Sequence, residues 1–451
     1  MKIAIAASEA VPFAKTGGLA DVTGALGLAL EKLGAEVVLI LPRYKCIGRA
    51  AGHTVIGRNL RVYFIENEDY FGRDGLYGDK KGDYKDNLAR FSFYCRRALE
   101  LLKEIDFKPQ ILHLHDWQAS LIPVYLKAKY NNDPFYKDIK TLLTVHNIGY
   151  QGIFPKEQFS DLGLNESFFG IDGLEFYGKI NLLKGGLEFS DIINTVSPTY
   201  SRQIQGKELG FGLEGVLRKR KNELFGILNG LDYSLWSPQD DDFVAQKYSF
   251  ETLQDKHKNK EALQELCGFQ KKPELPLVGM VSRLAQQKGL DILSESLEAI
   301  SKMNLQLVIL GTGDLKYHRL LQKAARRHSE TVSLHLKFDN TLAHKIYAGS
   351  DIFLMPSRYE PCGLGQMISL RYGTIPVVFK TGGLADTVNS DNGFVFDDYK
   401  KEALLAALTH AIAAFKDKKK WFVLMGRAME SDFSWEESAK KYMELYARIR
   451  G

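Results

Sequence analysis

The chain has 451 residues, too many for one hydrophobic core, since single cores stop growing near ~250–300 residues, so two domains are expected. Hydrophobic residues make up 45% and charged residues 25%, with 40 Gly and 13 Pro, which excludes a disordered, collagen-like or disulfide-stapled chain. The net charge of +5 divides evenly, +3 over residues 1–230 and +2 over 231–451, which speaks against a duplex nucleic-acid binder. The one basic run, Arg218-Lys219-Arg220-Lys221, reads as a solvated helix face.

The first element is a strand over Ile3 to Ala7. Its apolar run is interrupted by Glu9 and followed by Lys15, which fits a buried strand better than a leader peptide. Lys15-Thr16-Gly17-Gly18-Leu19-Ala20-Asp21 then leads into a helix from about Val22 to Leu33, and Val37 to Leu41 is the next strand. The strand–loop–helix rhythm continues with strands at Ile111 to His115, Thr141 to Val145 and Ile192 to Val196, as expected for a doubly wound parallel sheet. From Gly230 to about Pro276 the chain is polar and reads as a linker with one helix, Leu253 to Leu266. Strands resume at Leu277 to Val281, Leu305 to Leu310, Ile352 to Met355 and Ile375 to Phe379, and a helix over Glu436 to Ile449 closes the chain. The expected domains are therefore 1–230, a linker and helix over 231–275, and a second domain over 276–430, followed by the helical 431–451. No run of about 18 apolar residues is present, so no membrane span is expected. Four scattered cysteines without a C-x-x-C pair suit a reducing cytoplasm and offer no zinc site.

One heptapeptide occurs twice: Lys15 to Asp21 and Lys380 to Asp386 both read KTGGLAD, each after a strand and before a helix. A Gly-Gly turn at a helix start presents unpaired N–H groups and the positive end of the helix dipole to an anion; the plain alternative is a tight turn. The Walker A and G-x-G-x-x-G patterns are absent, which weakens nucleotide-hydrolase and nicotinamide-dehydrogenase readings. Arg283 and Lys288 share a loop after a strand, where a guanidinium and an ammonium could clamp a diphosphate. Glu360, in Ser357-Arg358-Tyr359-Glu360-Pro361-Cys362-Gly363-Leu364, suits sugar hydroxyls, with N–H groups of Cys362 to Leu364 expected to be unpaired. Cys362 reads as a packing residue, since no histidine neighbours it in sequence. His115-Asp116-Trp117 and His146-Asn147 also follow strands, without metal-ligand spacing. Asp240-Asp241-Asp242 contains a D-x-D, expected to be a solvated turn.

Together with Thr144 to Pro155, Leu182 to Ile204 and Ile227 to Pro238, these motifs resemble the bacterial glycogen and plant starch synthases, in the family's order from residue 1 to about 390. The resemblance implies the α/β GT-B architecture: two Rossmann-like domains facing a deep cleft, the last helix returning to the first domain. It implies a retaining transfer of glucose from ADP-glucose to the non-reducing end of an α-1,4-glucan such as glycogen or starch. No metal or cofactor, no nucleic acid and no membrane are implied, and the setting is cytoplasmic, or plastid stroma for a plant chain. Carried over by position, Arg283, Lys288, Glu360 and His146 are catalytic. Lys15, Gly18, Asp21, Asn229, Cys362, Gly363, Leu364 and Gly383 hold the donor, and Glu9, Tyr77, Asn87 and Asp116 lie near acceptor or sugar. Gln118 and Gly365 depart from the family's usual residues. The alternatives are a related transferase using UDP-glucose or another sugar nucleotide, and a non-catalytic glucan-binding homologue.

Overall fold

The structure, a computed structural model, describes residues 1–48 and 52–450. It forms two compact units, Met1–Gly230 with the chain from Trp435 onward, and Leu231–Ser434. No helix among the described residues is long and apolar enough to cross a membrane.

The first unit holds an eight-stranded sheet. Its strands are β1 (Lys2–Ala6), β2 (Glu36–Pro42), β3 (His53–Ile56), β4 (Leu60–Ile65), β5 (Ile111–His115), β6 (Lys140–Val145), β7 (Ile192–Thr195) and β8 (Leu224–Gly226). The spatial order is β8-β7-β6-β5-β1-β2-β4-β3, all parallel except the β3–β4 pair. Side chains alternate across the pleat, so β1 feeds two cores. Ala4 and Ala6 join the layer that includes Leu99 and Leu102 of the Asn87–Glu104 helix; Ile3 and Ile5 join that of the Gly18–Lys32 and Trp435–Arg450 helices. The Trp435–Arg450 helix buries Trp435, Ala439, Tyr442, Leu445 and Tyr446. This spacing puts them on one stripe, and each large side chain buried there contributes on the order of 1.5–3 kcal/mol.

The second unit carries six parallel strands: β9 (Leu277–Val281), β10 (Gln306–Leu310), β11 (Val332–His335), β12 (Ile352–Met355), β13 (Ile375–Phe379) and β14 (Phe394–Phe396). Their order is β11-β10-β9-β12-β13-β14, a Rossmann order that reverses between β9 and β12. In the first unit the equivalent reversal lies between β1 and β5. Such switch points open a crevice at the carboxyl ends of the strands, which places the loops after β1, β5, β9 and β12 where ligands bind.

The linker expected over 231–275 is a structural part of the second unit. Leu231, Tyr248, Leu253, Leu263 and Phe269 are buried in its core. Lys256 is buried too, donating to the Ala348 carbonyl at 2.5 Å and to Thr374 Oγ1 at 2.7 Å; burial pushes its ammonium down to about 7. The D-x-D aspartates, Asp240 and Asp242, are exposed as expected of a solvated turn, but Asp241 between them is buried, with its carboxylate on His344 Nδ1 at 2.7 Å and the Tyr372 hydroxyl at 2.6 Å. Polar composition hid these anchors because their partners stand about a hundred residues away in sequence.

Candidate active site

In the first unit, the loop after β1 is organised by a buried carboxylate. Glu9 accepts from Thr16 N, Thr16 Oγ1 at 2.6 Å, Gly17 N at 3.3 Å and the Tyr77 hydroxyl at 2.6 Å. Both oxygens are thus committed within the chain. Glu9 and Tyr77, expected near the acceptor, act here by shaping the loop before the Gly18–Lys32 helix. Asn87 Nδ2 holds the Tyr77 carbonyl at 2.9 Å, and its Oδ1 accepts from Arg90 at 2.6 Å. Arg90, fully buried, also donates to the carbonyls of Tyr70 and Leu76. Sequence reasoning missed Arg90; the available signal was an arginine on the apolar stripe of a helix, between Asn87 and Tyr94.

The two KTGGLAD copies serve different ends. A Cβ on Gly17 or Gly18 would meet nothing within 4 Å, and no side chain caps the first turn of that helix. Its leading N–H groups lack intrahelical partners, and the space beside Gly17 and Gly18 is unfilled. Lys15 is exposed and paired with Asp21 at 2.7 Å. In the second copy, a Cβ on Gly382 would lie 1.9 Å from the Glu360 carbonyl oxygen and one on Gly383 2.0 Å from that of Cys362. Gly383 N–H is spent on the carbonyls of Glu360 at 3.1 Å and Pro361 at 3.2 Å. Lys380 pairs with Asp397 at 2.9 Å, which breaks the parallel with Lys15 and Asp21.

This difference sets an expected outcome. Gly18→Ala should melt within about 2 °C of the parent, while the donor KM rises about tenfold as the methyl enters ligand space. Gly383→Ala should lose several degrees in Tm, because the Cβ collides with backbone. Melting curves and initial rates of the two variants check both.

Three histidines and an aspartate gather at the carboxyl ends of β5 and β6. His115 Nδ1 lies 2.9 Å from His146 Nε2, and Asp116, at φ 56°, accepts from His146 N at 2.7 Å. Burial pushes the Asp116 carboxyl up to about 7, against the opposing pull of the His146 N–H and with a smaller push from Glu9. Burial holds the His146 and His113 imidazoles down to about 3, and His115 well below its ordinary value. His146 is therefore a neutral hydrogen-bonding group at working pH, not an acid. Asn229, in the last loop of the unit, is buried with Oδ1 unpartnered, which suits a group awaiting a ligand. Gln118 is buried with Oε1 likewise unpartnered.

The titrations have definite signs. The folded Asp116 keeps its proton up to about 7, whereas an unfolded aspartate loses it near ~4. Over that window the folded state binds more protons, so this group's contribution to stability is lost as pH rises. Asp116→Asn should raise Tm by several degrees at pH 8, with the gain shrinking to near zero at pH 4. A gain that is flat across pH would contradict the assignment. The histidines run the other way: folded pKa values of about 3 mean that stability is lost as pH falls below about 6.5.

In the second unit, the loops after β9 and β12 meet at the carboxyl edge of the sheet. Arg283 is exposed and its guanidinium has no partner among the described residues. Lys288 Nζ donates to Glu360 Oε2 at 2.5 Å, with side-chain exposures of 16% and 8%. The turn between them ends at Gly289, whose φ is 76°; a Cβ there would lie 2.0 Å from the Pro356 carbonyl oxygen. Only glycine allows the Lys288 loop to seat on the loop that carries Glu360. Arg358 N donates to the Gln287 carbonyl at 2.9 Å and completes the seat. The N–H groups of Gly363 and Leu364 make no hydrogen bond among the described residues. Cys362 is buried beneath them, and Gly365 opens the Gly365–Arg371 helix against Phe353 and Tyr347. Among the described residues no group of three His, Cys, Asp or Glu is placed to hold a metal ion.

Two Rossmann-type units, one with two cations, Arg283 and Lys288, and the unpaired N–H groups of Gly363 and Leu364 at its switch point, define a glycosyltransferase of the GT-B class. The description "starch synthase catalytic domain" matches residues 2–219, and "glycosyl transferases group 1" matches 268–421. A glycogen synthase of Geotalea daltonii is 50% identical, covering 100% of this chain and 99% of its own; one of Thermosipho melanesiensis is 46% identical, covering 99% and 98%. The catalytic domain of starch synthase IV from Arabidopsis thaliana, solved with ADP and acarbose bound, superposes with a TM-score of 0.89 at 33% identity, covering 100% of this chain and 99% of that one. The chain belongs to the glycogen and starch synthase family.

Proposed function

We propose that the protein transfers glucose from ADP-glucose to the non-reducing 4-hydroxyl of an α-1,4-glucan, with retention of configuration and without a metal. The observation that carries this reading is the pairing of Lys288 with Glu360 beside an unpartnered Arg283, at a switch point of a chain related over its whole length to glycogen synthases.

The chemistry follows from charge. The bond from C1 to the diphosphate oxygen breaks, the bond from C1 to the acceptor O4 forms, and the acceptor proton passes to the departing diphosphate. Negative charge develops on that diphosphate. An ammonium has three N–H donors; Glu360 takes one and orients the group, leaving two for phosphate oxygens. Arg283 adds a planar fork, and the N–H groups of Gly363 and Leu364 add fixed dipoles. On the first unit, His146 and Asn229 supply neutral groups and Asp116 a carboxyl that titrates at about 7, all suited to sugar hydroxyls. The reading takes transfer to run on one face of the sugar, with acceptor and leaving group on the same side. Four thiols and the absence of a long apolar helix among the described residues suit work in the cytoplasm.

Proton NMR of the first product tests stereochemistry and metal independence together. The new linkage should show an α-anomeric signal, and EDTA should leave the rate unchanged. A β-linkage, or a loss of rate restored by one added cation, would contradict the proposal.

A further inference from the structure

We propose that His115 is a positioning residue that fixes the tautomer of His146, so that His146 offers an Nδ1–H outward. The proposal rests on the functional reading above only in taking His146 as a sugar-side group.

His113 lies behind His115 with ring centroids 4.2 Å apart, between two hydroxyls, Tyr446 at 2.7 Å from Nδ1 and Thr144 at 2.7 Å from Nε2. Thr144 Oγ1 also accepts from Asn194 Nδ2 at 3.2 Å, so both hydroxyls compete to donate to His113, and the stack passes no proton to His115.

His115 decides the proton on His146. Its Nε2 is buried without a partner. An orphaned lone pair costs less than an orphaned N–H, so the proton occupies Nδ1 and is donated to His146 Nε2 at 2.9 Å. His146 Nε2 is then an acceptor, and the neutral ring carries its proton on Nδ1. That nitrogen makes no hydrogen bond among the described residues, and His146 is only half-buried, so its N–H remains available. His115 thus acts as a positioning residue for a group it does not need to share with substrate.

The test uses the whole protein labelled with ¹⁵N-histidine, with the His146 signals among ten histidines assigned by His146→Gln. The wild type should show a pyrrole-type Nδ1 and a pyridine-type Nε2 for His146. His115→Phe keeps the stacking but removes the donor; His146 should then populate the Nε2–H form, and kcat should fall about tenfold with a smaller change in KM, the scale of one lost hydrogen bond. His115→Asn puts an amide N–H at the Nδ1 place and should restore both. Melting curves should confirm that each variant is folded. An Nε2–H tautomer in the wild type, or an unchanged tautomer with full kcat in His115→Phe, overturns the proposal. A wild type that transfers no sugar would refute the functional reading, while the spectra would still decide the tautomer.

Discussion

Lys288→Ala is expected to lower kcat by ~10³-fold or more, the scale of removing a preorganised charge from a developing anion. Two effects combine. The diphosphate loses the ammonium that neutralises it as C1 departs. The Glu360 carboxylate, 8% exposed, loses the partner 2.5 Å away that makes its burial tolerable. Breaking such a buried pair from one side costs about 3–5 kcal/mol, so Tm should fall as well. Arg283→Ala separates the two effects: its side chain is exposed and unpaired among the described residues, so kcat should fall while Tm holds. Single-turnover rates and melting curves on both variants check this. A Lys288→Ala enzyme with near-normal turnover would remove the lysine from the mechanism.

Glu9→Gln is expected to cut kcat/KM by ~10²-fold through geometry alone, since misplacing a site by about 1 Å can cost that much. The carboxylate accepts four hydrogen bonds, two of them from backbone N–H groups that cannot reverse direction. A glutamine offers one acceptor oxygen and turns an N–H toward existing donors. The Thr16–Gly17 loop should then shift and carry the start of the Gly18–Lys32 helix with it. Tm should drop several degrees, as one or two buried bonds are lost. A variant with unchanged kcat/KM would show that the loop needs no brace.

Much of this architecture was readable from the amino-acid order. Strands buried on both faces appear as short apolar runs, so β1, β5, β6, β9, β12 and β13 were placed within a residue or two. Loops after those strands held the chemically suggestive residues. Shorter and edge strands such as β3 and β14 were missed, because three or four residues carry too little periodicity. Identical heptapeptides were also misleading. The Gly382–Gly383 pair is a steric requirement set by the Glu360 loop, whereas Gly17 and Gly18 border open space. Only the fold reveals which neighbour a glycine must avoid. Asp241 reads as solvated for the same reason, and Lys256 carries no signal of its burial: a charge reads as surface until its distant partner is known. The Lys288–Glu360 contact was the reverse case, since both residues were singled out separately and the structure brings them together.

Initial rates of glucan extension with equal concentrations of labelled ADP-glucose and UDP-glucose test the central claim most directly. The account predicts fast, EDTA-insensitive incorporation into glycogen from ADP-glucose and at least tenfold slower incorporation from UDP-glucose. Equal or preferred use of UDP-glucose, or no incorporation from either donor by a folded protein, would contradict it.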